Sequence, residues 1–138
     1  MRAATLLSQT ARHLKLAFWL YALFVCPVVA ADQNAVISVY HHVSNSTPPS
    51  TSLSPAAFRA HLSFLAENNF TVLPLTQILT TLNDGEDLPE RTVAITFDDG
   101  YESIYSTAFP LLQEFGFPFT VFVSTGPIDR QQNGYMTW

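Results

Sequence analysis

The segment Val93-Ala94-Ile95-Thr96-Phe97-Asp98-Asp99-Gly100-Tyr101 decides how the rest of the chain is interpreted. Its first five residues favour a buried strand, and two adjacent carboxylates and a glycine follow. Because strand side chains alternate between faces, Asp98 and Asp99 share one site only if the strand ends there and the chain turns, which Gly100 makes easy. Carboxylates at the carboxyl end of a buried strand lie where α/β sheets and barrels carry their chemistry. The alternative is a solvated turn, or aspartates that cap the next helix.

The chain around this segment alternates strands with helical patterns. The predicted strands are 36–40, 70–73, 93–97 and 119–123. Such alternation predicts βα units and a parallel sheet. The sequence therefore predicts an α/β fold.

Three helices are predicted between these strands. Ser54 caps the first, which Pro55 opens, and Thr76 caps the second, with Ile78, Leu79 and Leu82 on its inner face. The third carries apolar residues from Ile104 to Phe115, and Pro110 should kink it or split it in two.

The first thirty residues have the three parts of a secretory signal peptide. Arg2, Arg12 and Lys15 precede the apolar run 16–25, and small residues then supply a cleavage site. The run is about ten residues, short of the ~20 that span a bilayer. We therefore predict a signal peptide over 1–30, a domain from 32 to 138, and export to the periplasm or the extracellular envelope, with membrane contact only through the signal segment. A retained anchor is the alternative.

The cysteine content and the net charge of the processed chain limit the metal ligands and the partners that it can have. Cys26 is the only cysteine and lies in the leader, so a metal would be held by oxygen and imidazole. Lipidation of Cys26 is an alternative, although Val25 is not a small residue. Residues 32–138 keep three arginines, no lysine and all eleven acidic residues, so the formal net charge becomes −8. This charge argues against nucleic acid as a partner and suits a neutral or cationic substrate.

Two histidines follow the predicted first strand. His41 and His42 lie at its carboxyl end, so one should face the site while the other packs or meets solvent. The residues alone leave both assignments open.

Thr96-Phe97-Asp98-Asp99-Gly100-Tyr101 resembles the first signature motif of the polysaccharide deacetylase family (the NodB-homology, carbohydrate esterase type 4 group). The resemblance implies that Asp98 is the general base and Asp99 a metal ligand, with backbone N–H groups near Tyr101 stabilising an oxyanion. Tyr40-His41 resembles an edge of the family's active site, which favours His41 over His42. The implied metal is Zn²⁺, with Co²⁺ or Ni²⁺ as alternatives.

The resemblance also implies a distorted (β/α)7 barrel, of which this chain holds the amino-terminal half. The family takes its other metal ligands from a later His-x-x-x-His-type motif and its general acid from a further histidine, whereas no histidine follows Asp99. A catalytic zinc normally takes three protein ligands. We therefore expect residues 32–138 to be a truncated domain that is inactive and marginally folded by itself.

The implied reaction is removal of N-acetyl groups from a polysaccharide of N-acetylglucosamine. The spacing from Ser54 through Leu65 to Thr96 resembles the exported branch that includes poly-β-1,6-N-acetylglucosamine deacetylases. One alternative is a secreted remnant that binds glycan without cleaving it. Another is a phosphoryl-transfer receiver domain, which the absence of lysine from residues 32–138 argues against.

Overall fold

The computed structural model describes residues 34–138, so the predicted signal peptide and Cys26 lie outside the described residues. Within the described range the chain alternates strands and helices in the predicted order. The strands are β1 (Ala35–Tyr40), β2 (His42–Val43), β3 (Ser52–Leu53), β4 (Thr71–Val72), β5 (Thr92–Asp99) and β6 (Thr120–Val123). The α-helices are α1 (Pro55–Glu67), α2 (Leu75–Asn83), α3 (Phe109–Phe115) and α4 (Thr125–Asp129), and a π-helical turn, Ile104–Ala108, precedes α3.

The parallel sheet predicted from the alternation is confirmed. β5 is its central strand and pairs in parallel with β1, β4 and β6. Residues 92–97 of β5 are buried on both faces, which explains why they read as an unbroken apolar run except for two threonines. The hydroxyls of these threonines are satisfied: Thr96 donates to the Ser38 carbonyl at 3.1 Å and Thr92 to the Pro89 carbonyl at 2.6 Å.

The core lies where α1 and the third helical segment cover β5. Phe97 is fully buried, and its ring centroid lies 5.6, 5.8 and 5.9 Å from those of Tyr40, Phe58 and Phe119. The buried cluster around it consists of Val43, Phe58, Leu62, Val93, Ile95, Phe97, Ile104, Ala108 and Leu112. This packing fixes β5, and therefore fixes the position of the carboxylates at its end.

The helix signals were confirmed at two of three places. Ser54 accepts a hydrogen bond from the Ala57 N–H at 3.1 Å, and Pro55 opens α1. Pro110 lacks an N–H group, and the third helical segment divides just before it into the π-helical turn and α3. The predicted start of the second helix was wrong, because α2 begins at Leu75 and has no side-chain cap from Thr76.

Several apolar side chains of α2, β1 and β6 are exposed. Ile78 is the buried residue of α2, whereas Leu79 and Leu82 are exposed, contrary to the predicted inner face. Val36, Ile37 and Val39 of β1 and Phe122 and Val123 of β6 are also exposed. No helix within residues 34–138 is long and apolar enough to cross a membrane.

Candidate active site

Asp98 and Asp99 lie at the carboxyl end of β5, but the strand does not end where the sequence predicted. Pairing with β6 continues through Asp99, which lies opposite Val123. The backbone conformation nevertheless changes at Asp99, whose φ is +72°, and Gly100 follows with a φ of +75°. The Gly100 N–H donates to the Asp98 carbonyl at 3.0 Å, which closes a three-residue γ-turn centred on Asp99. The turn frees the two neighbouring side chains from strict strand alternation.

Ser124, at the end of the adjacent strand β6, holds Asp99. Its hydroxyl donates to Asp99 Oδ1 at 3.1 Å, and its N–H donates to the Asp99 carbonyl at 3.3 Å. Sequence reasoning missed Ser124, although its position after a parallel strand is the same signal that pointed to the aspartates. The Asp98 carboxylate is half-buried and has no hydrogen bond or ion pair to any residue in the 34–138 range. The two carboxylates therefore differ in their contacts, since among the described residues a hydroxyl donor engages Asp99 and none engages Asp98.

Tyr101 lies between two other aromatic rings. The His42 ring stacks on it with a centroid distance of 3.6 Å. The centroid of the Tyr135 ring lies 4.7 Å away, and its plane is tilted by 39° from that of Tyr101. The hydrogen bond with Tyr135, burial and the negative charge of Asp99 together raise the pKa of the Tyr101 phenol. Tyr101 therefore stays protonated through the neutral range.

The structure places His42 rather than His41 against Tyr101. Burial lowers the pKa of the His42 imidazole, His41 lowers it further, and the Asp99 charge opposes both effects. His41 instead lines a cleft of about 220 Å³ with Tyr40, His42 and His61. His42 begins the short strand β2, which pairs with β3. The preference for His41 as a site residue stays a prediction.

The described residues do not form a complete metal site. No group of three histidine, cysteine, aspartate or glutamate side chains within residues 34–138 is arranged to hold a metal ion. Catalytic zinc normally takes three protein ligands. Asp99 is thus a single candidate ligand whose other carboxylate oxygen is not engaged by Ser124.

Comparison with known proteins places these features in a family. The polysaccharide deacetylase profile matches residues 85–138. The poly-β-1,6-N-acetyl-D-glucosamine N-deacetylase of Escherichia coli K12 is 38% identical over 85 residues, which cover 58% of this chain and 12% of that protein. The protein of the same name from Staphylococcus aureus MRSA252 is 30% identical over 93 residues, which cover 67% of this chain and 32% of that protein.

A solved structure shows the same fold. IcaB from Ammonifex degensii superimposes with a TM-score of 0.68 and 30% sequence identity, over 76% of this chain and 45% of that structure. The chain thus spans less than half the length of the relatives and the structure compared with it here. The family profile, the relatives and the solved structure support a NodB-type polysaccharide deacetylase, and this chain is similar to the amino-terminal portion of that domain.

Proposed function

We propose that this chain carries the amino-terminal part of a metal-dependent N-deacetylase that removes acetyl groups from poly-β-1,6-linked N-acetylglucosamine. The observation that carries the proposal is the γ-turn at Asp99, which places two carboxylates at the carboxyl end of a central buried strand. The names of the Escherichia coli and Staphylococcus aureus relatives support the choice of polysaccharide. Export, which the leader predicts, would bring the chain to such a polymer.

In the proposed reaction a water molecule attacks the amide carbonyl, the C–N bond breaks, and acetate and a free amine are formed. Asp98 accepts the proton of the attacking water, which requires its carboxylate to come within about 3 Å of that water. The transition state places negative charge on the former carbonyl oxygen, which a backbone N–H can stabilise. The Tyr101 N–H donates to no residue in the described part of the chain, so it is free for that role.

Asp99 is proposed as the ligand that this part of the domain contributes to a divalent metal, Zn²⁺ with Co²⁺ or Ni²⁺ as substitutes. The bond from Ser124 to Oδ1 orients the carboxylate, as hydrogen bonds commonly do for ligating carboxylates. The remaining ligands would have to come from outside residues 34–138, since no three-residue set forms within them. We therefore expect the 138-residue chain alone to release no acetate.

A chimera tests the proposed function. Residues 35–138 replace the matching segment of the Escherichia coli relative, and acetate release from β-1,6-linked N-acetylglucosamine oligomers is measured with added Zn²⁺. We expect activity in the chimera and a loss of about 100-fold or more in Asp98→Asn and in Asp99→Asn. Asp84→Asn, at an exposed aspartate after α2, is the matched control and should leave the rate unchanged. Full activity of a folded Asp98→Asn chimera would refute the assignment of the base.

The incomplete metal set also favours a second candidate, a secreted module that binds glycan without cleaving it. This candidate predicts that the 138-residue chain binds the same oligomers equally well with and without Zn²⁺. Isothermal titration of the chain with the oligomers, in the presence of Zn²⁺ and then of a chelator, separates the two candidates. Metal-independent binding together with an inactive chimera would favour the binding module.

A further inference from the structure

Residues 132–136, which we call the return segment, bring the chain back from α4 to the end of β5. The Gln132 N–H donates to the Pro127 carbonyl at 2.9 Å, and Gly134 adopts a φ of +88°. The Met136 N–H then donates to the Gly100 carbonyl at 2.9 Å, and the Glu102 N–H donates to the Gly134 carbonyl at 2.9 Å. The return segment therefore pairs antiparallel with the residues that directly follow the two aspartates.

The bonding pattern determines where the Tyr101 N–H points. Tyr101 and Tyr135 face each other as an isolated antiparallel bridge, while the hydrogen bonds are made by the residues on either side of them. In such a pair the N–H and C=O groups of the facing residues point away from the partner segment, and their side chains lie close together. The bridge thus turns the Tyr101 N–H away from the return segment and leaves it without an acceptor among the described residues.

Side-chain contacts hold the same arrangement. The Tyr135 ring packs against Tyr101 with a centroid distance of 4.7 Å, and the two hydroxyl oxygens lie 3.5 Å apart. On the other face His42 stacks on Tyr101 at 3.6 Å. Tyr101 is therefore fixed between a ring from β2 and a ring from the return segment.

The turn before Tyr101 needs such support because it is strained. Positive φ is costly for a residue with a side chain, and strained turns persist only where the surrounding structure holds them. Ser124 holds Asp99 from β6 with two hydrogen bonds. The return segment holds the next residue, Gly100, because the Met136 N–H donates to the Gly100 carbonyl.

We propose that Tyr135 is a positioning residue, whose ring and flanking backbone bonds fix Tyr101 so that the Tyr101 N–H stays free to donate to an oxygen of the acyl group. The proposal rests on the proposed function, which assigns that N–H to the oxyanion. It adds a residue that no motif in the sequence indicates. Tyr135 acts through Tyr101 and is not itself placed in contact with the reacting atoms.

Acetate is a suitable probe, because its oxygens offer the acceptor that the reaction would place at the Tyr101 N–H. The 138-residue chain is labelled with ¹⁵N-tyrosine, which gives five backbone amide signals. The Tyr101 signal is assigned from Tyr101→Phe and followed during titration with sodium acetate, with sodium chloride at equal ionic strength as the reference. We expect the Tyr101 amide signal of the wild-type chain to shift with acetate and not with chloride.

Two substitutions at Tyr135 separate the ring from the hydroxyl. Tyr135→Phe keeps the ring and should keep the response, whereas Tyr135→Leu should weaken acetate binding at this amide about tenfold, since the donor is no longer preorganised. Phe64→Leu, which removes an exposed ring that packs on Phe70, is the matched control and should respond as the wild type does. Circular dichroism confirms that each variant is folded.

The outcomes decide the proposal without any measurement of deacetylase activity. The proposal is overturned if the wild-type chain shows no acetate response, or if Tyr135→Leu responds fully. It is also overturned if Tyr135→Phe binds acetate as weakly as Tyr135→Leu does. If Tyr135→Leu unfolds, hydrogen exchange in the wild-type chain decides: the Glu102 and Met136 amides should exchange about tenfold or more slowly than that of Tyr101. Equal rates would overturn the proposal. An inactive chimera with an intact acetate response would count against the proposed function alone.

Discussion

Gly100 is the position where a single methyl group should most clearly disturb the candidate site. Its φ is +75°, and a Cβ atom built there would lie 3.3 Å from Val123 Cγ1 and 3.5 Å from both Ile128 Cδ1 and Met136 Cε. These atoms belong to β6, α4 and the return segment, which all meet at the turn. Gly100→Ala therefore tests the backbone conformation and the close packing of the turn at once.

The cost follows from three contributions. An alanine in the left-handed region costs about 1–2 kcal/mol, and loss of unfolded-state entropy returns about 0.5–1 kcal/mol. Displacing Val123 Cγ1, the one neighbour closer than ordinary van der Waals contact, should add about 1 kcal/mol, the lower end of the range for an extra methyl group in a packed site. We expect Gly100→Ala to lower the free energy of unfolding by about 1.5–2 kcal/mol.

Gly85 offers a matched control. Its φ is +71°, but no atom lies within 4 Å of the position of an added Cβ. Gly85→Ala should therefore carry only the backbone cost, about 0.5–1 kcal/mol after the entropy term. The difference between the two variants, about 1 kcal/mol, isolates the packing at the candidate site.

Urea unfolding followed by circular dichroism measures both variants, and thermal unfolding should show a further decrease of about 4–8 °C in Tm for Gly100→Ala. If Gly100→Ala is no more destabilising than Gly85→Ala, Val123 does not pack closely against Gly100. If neither substitution has a cost, the positive φ angles at both glycines are wrong.

Three further predictions concern the core and the site. Phe97→Ala should lower the free energy of unfolding by about 3–5 kcal/mol, because a fully buried ring is removed; a urea midpoint near that of the wild type would contradict its central position. Asp99→Asn should change the free energy of unfolding by no more than about 0.5 kcal/mol, because asparagine keeps the acceptor for Ser124 and tolerates positive φ. A decrease several times larger, measured by calorimetry, would show that the carboxylate charge stabilises the turn. The pKa of His42 is lowered in the folded chain, so the unfolded chain takes up a proton first as the pH falls through 6.5, and the free energy of unfolding should decrease there. His42→Gln should therefore flatten the dependence of Tm on pH. An unchanged slope would show that His42 does not cause this dependence.

The strands and first helix were predictable because their signals are local. A continuous apolar run marks a strand buried on both faces, as in β5, and Ser54 followed by Pro55 marks a helix start. Exposure was not predictable in the same way. Leu79 has the spacing of an inner-face residue in α2 but is exposed, because spacing defines a face and does not state what covers it.

The candidate site shows a similar division. Asp98 and Asp99 were found because two carboxylates follow a buried strand, which is a pattern of neighbours in sequence. Ser124 and Tyr135 were missed because their contacts join positions 25 and 34 residues apart. Such contacts depend on the pairing of β6 with β5 and on the return of the chain after α4, which composition and periodicity do not specify.

The location of backbone strain separates Asp99 from the other unusual residues of the chain. Four non-glycine residues in the described range have positive φ, and Asn69, Arg91 and Gln131 are exposed residues in connections between elements. Asp99 instead lies in the central strand, half-buried and paired with β6. Connections can adopt such a conformation to reverse the chain, whereas at Asp99 it occurs in a residue that is still paired with the neighbouring strand. The strain at Asp99 is offset by hydrogen bonds from Ser124 and, through Gly100, from Met136, so the fold maintains a turn whose evident result is the placement of two carboxylates at one edge of the sheet.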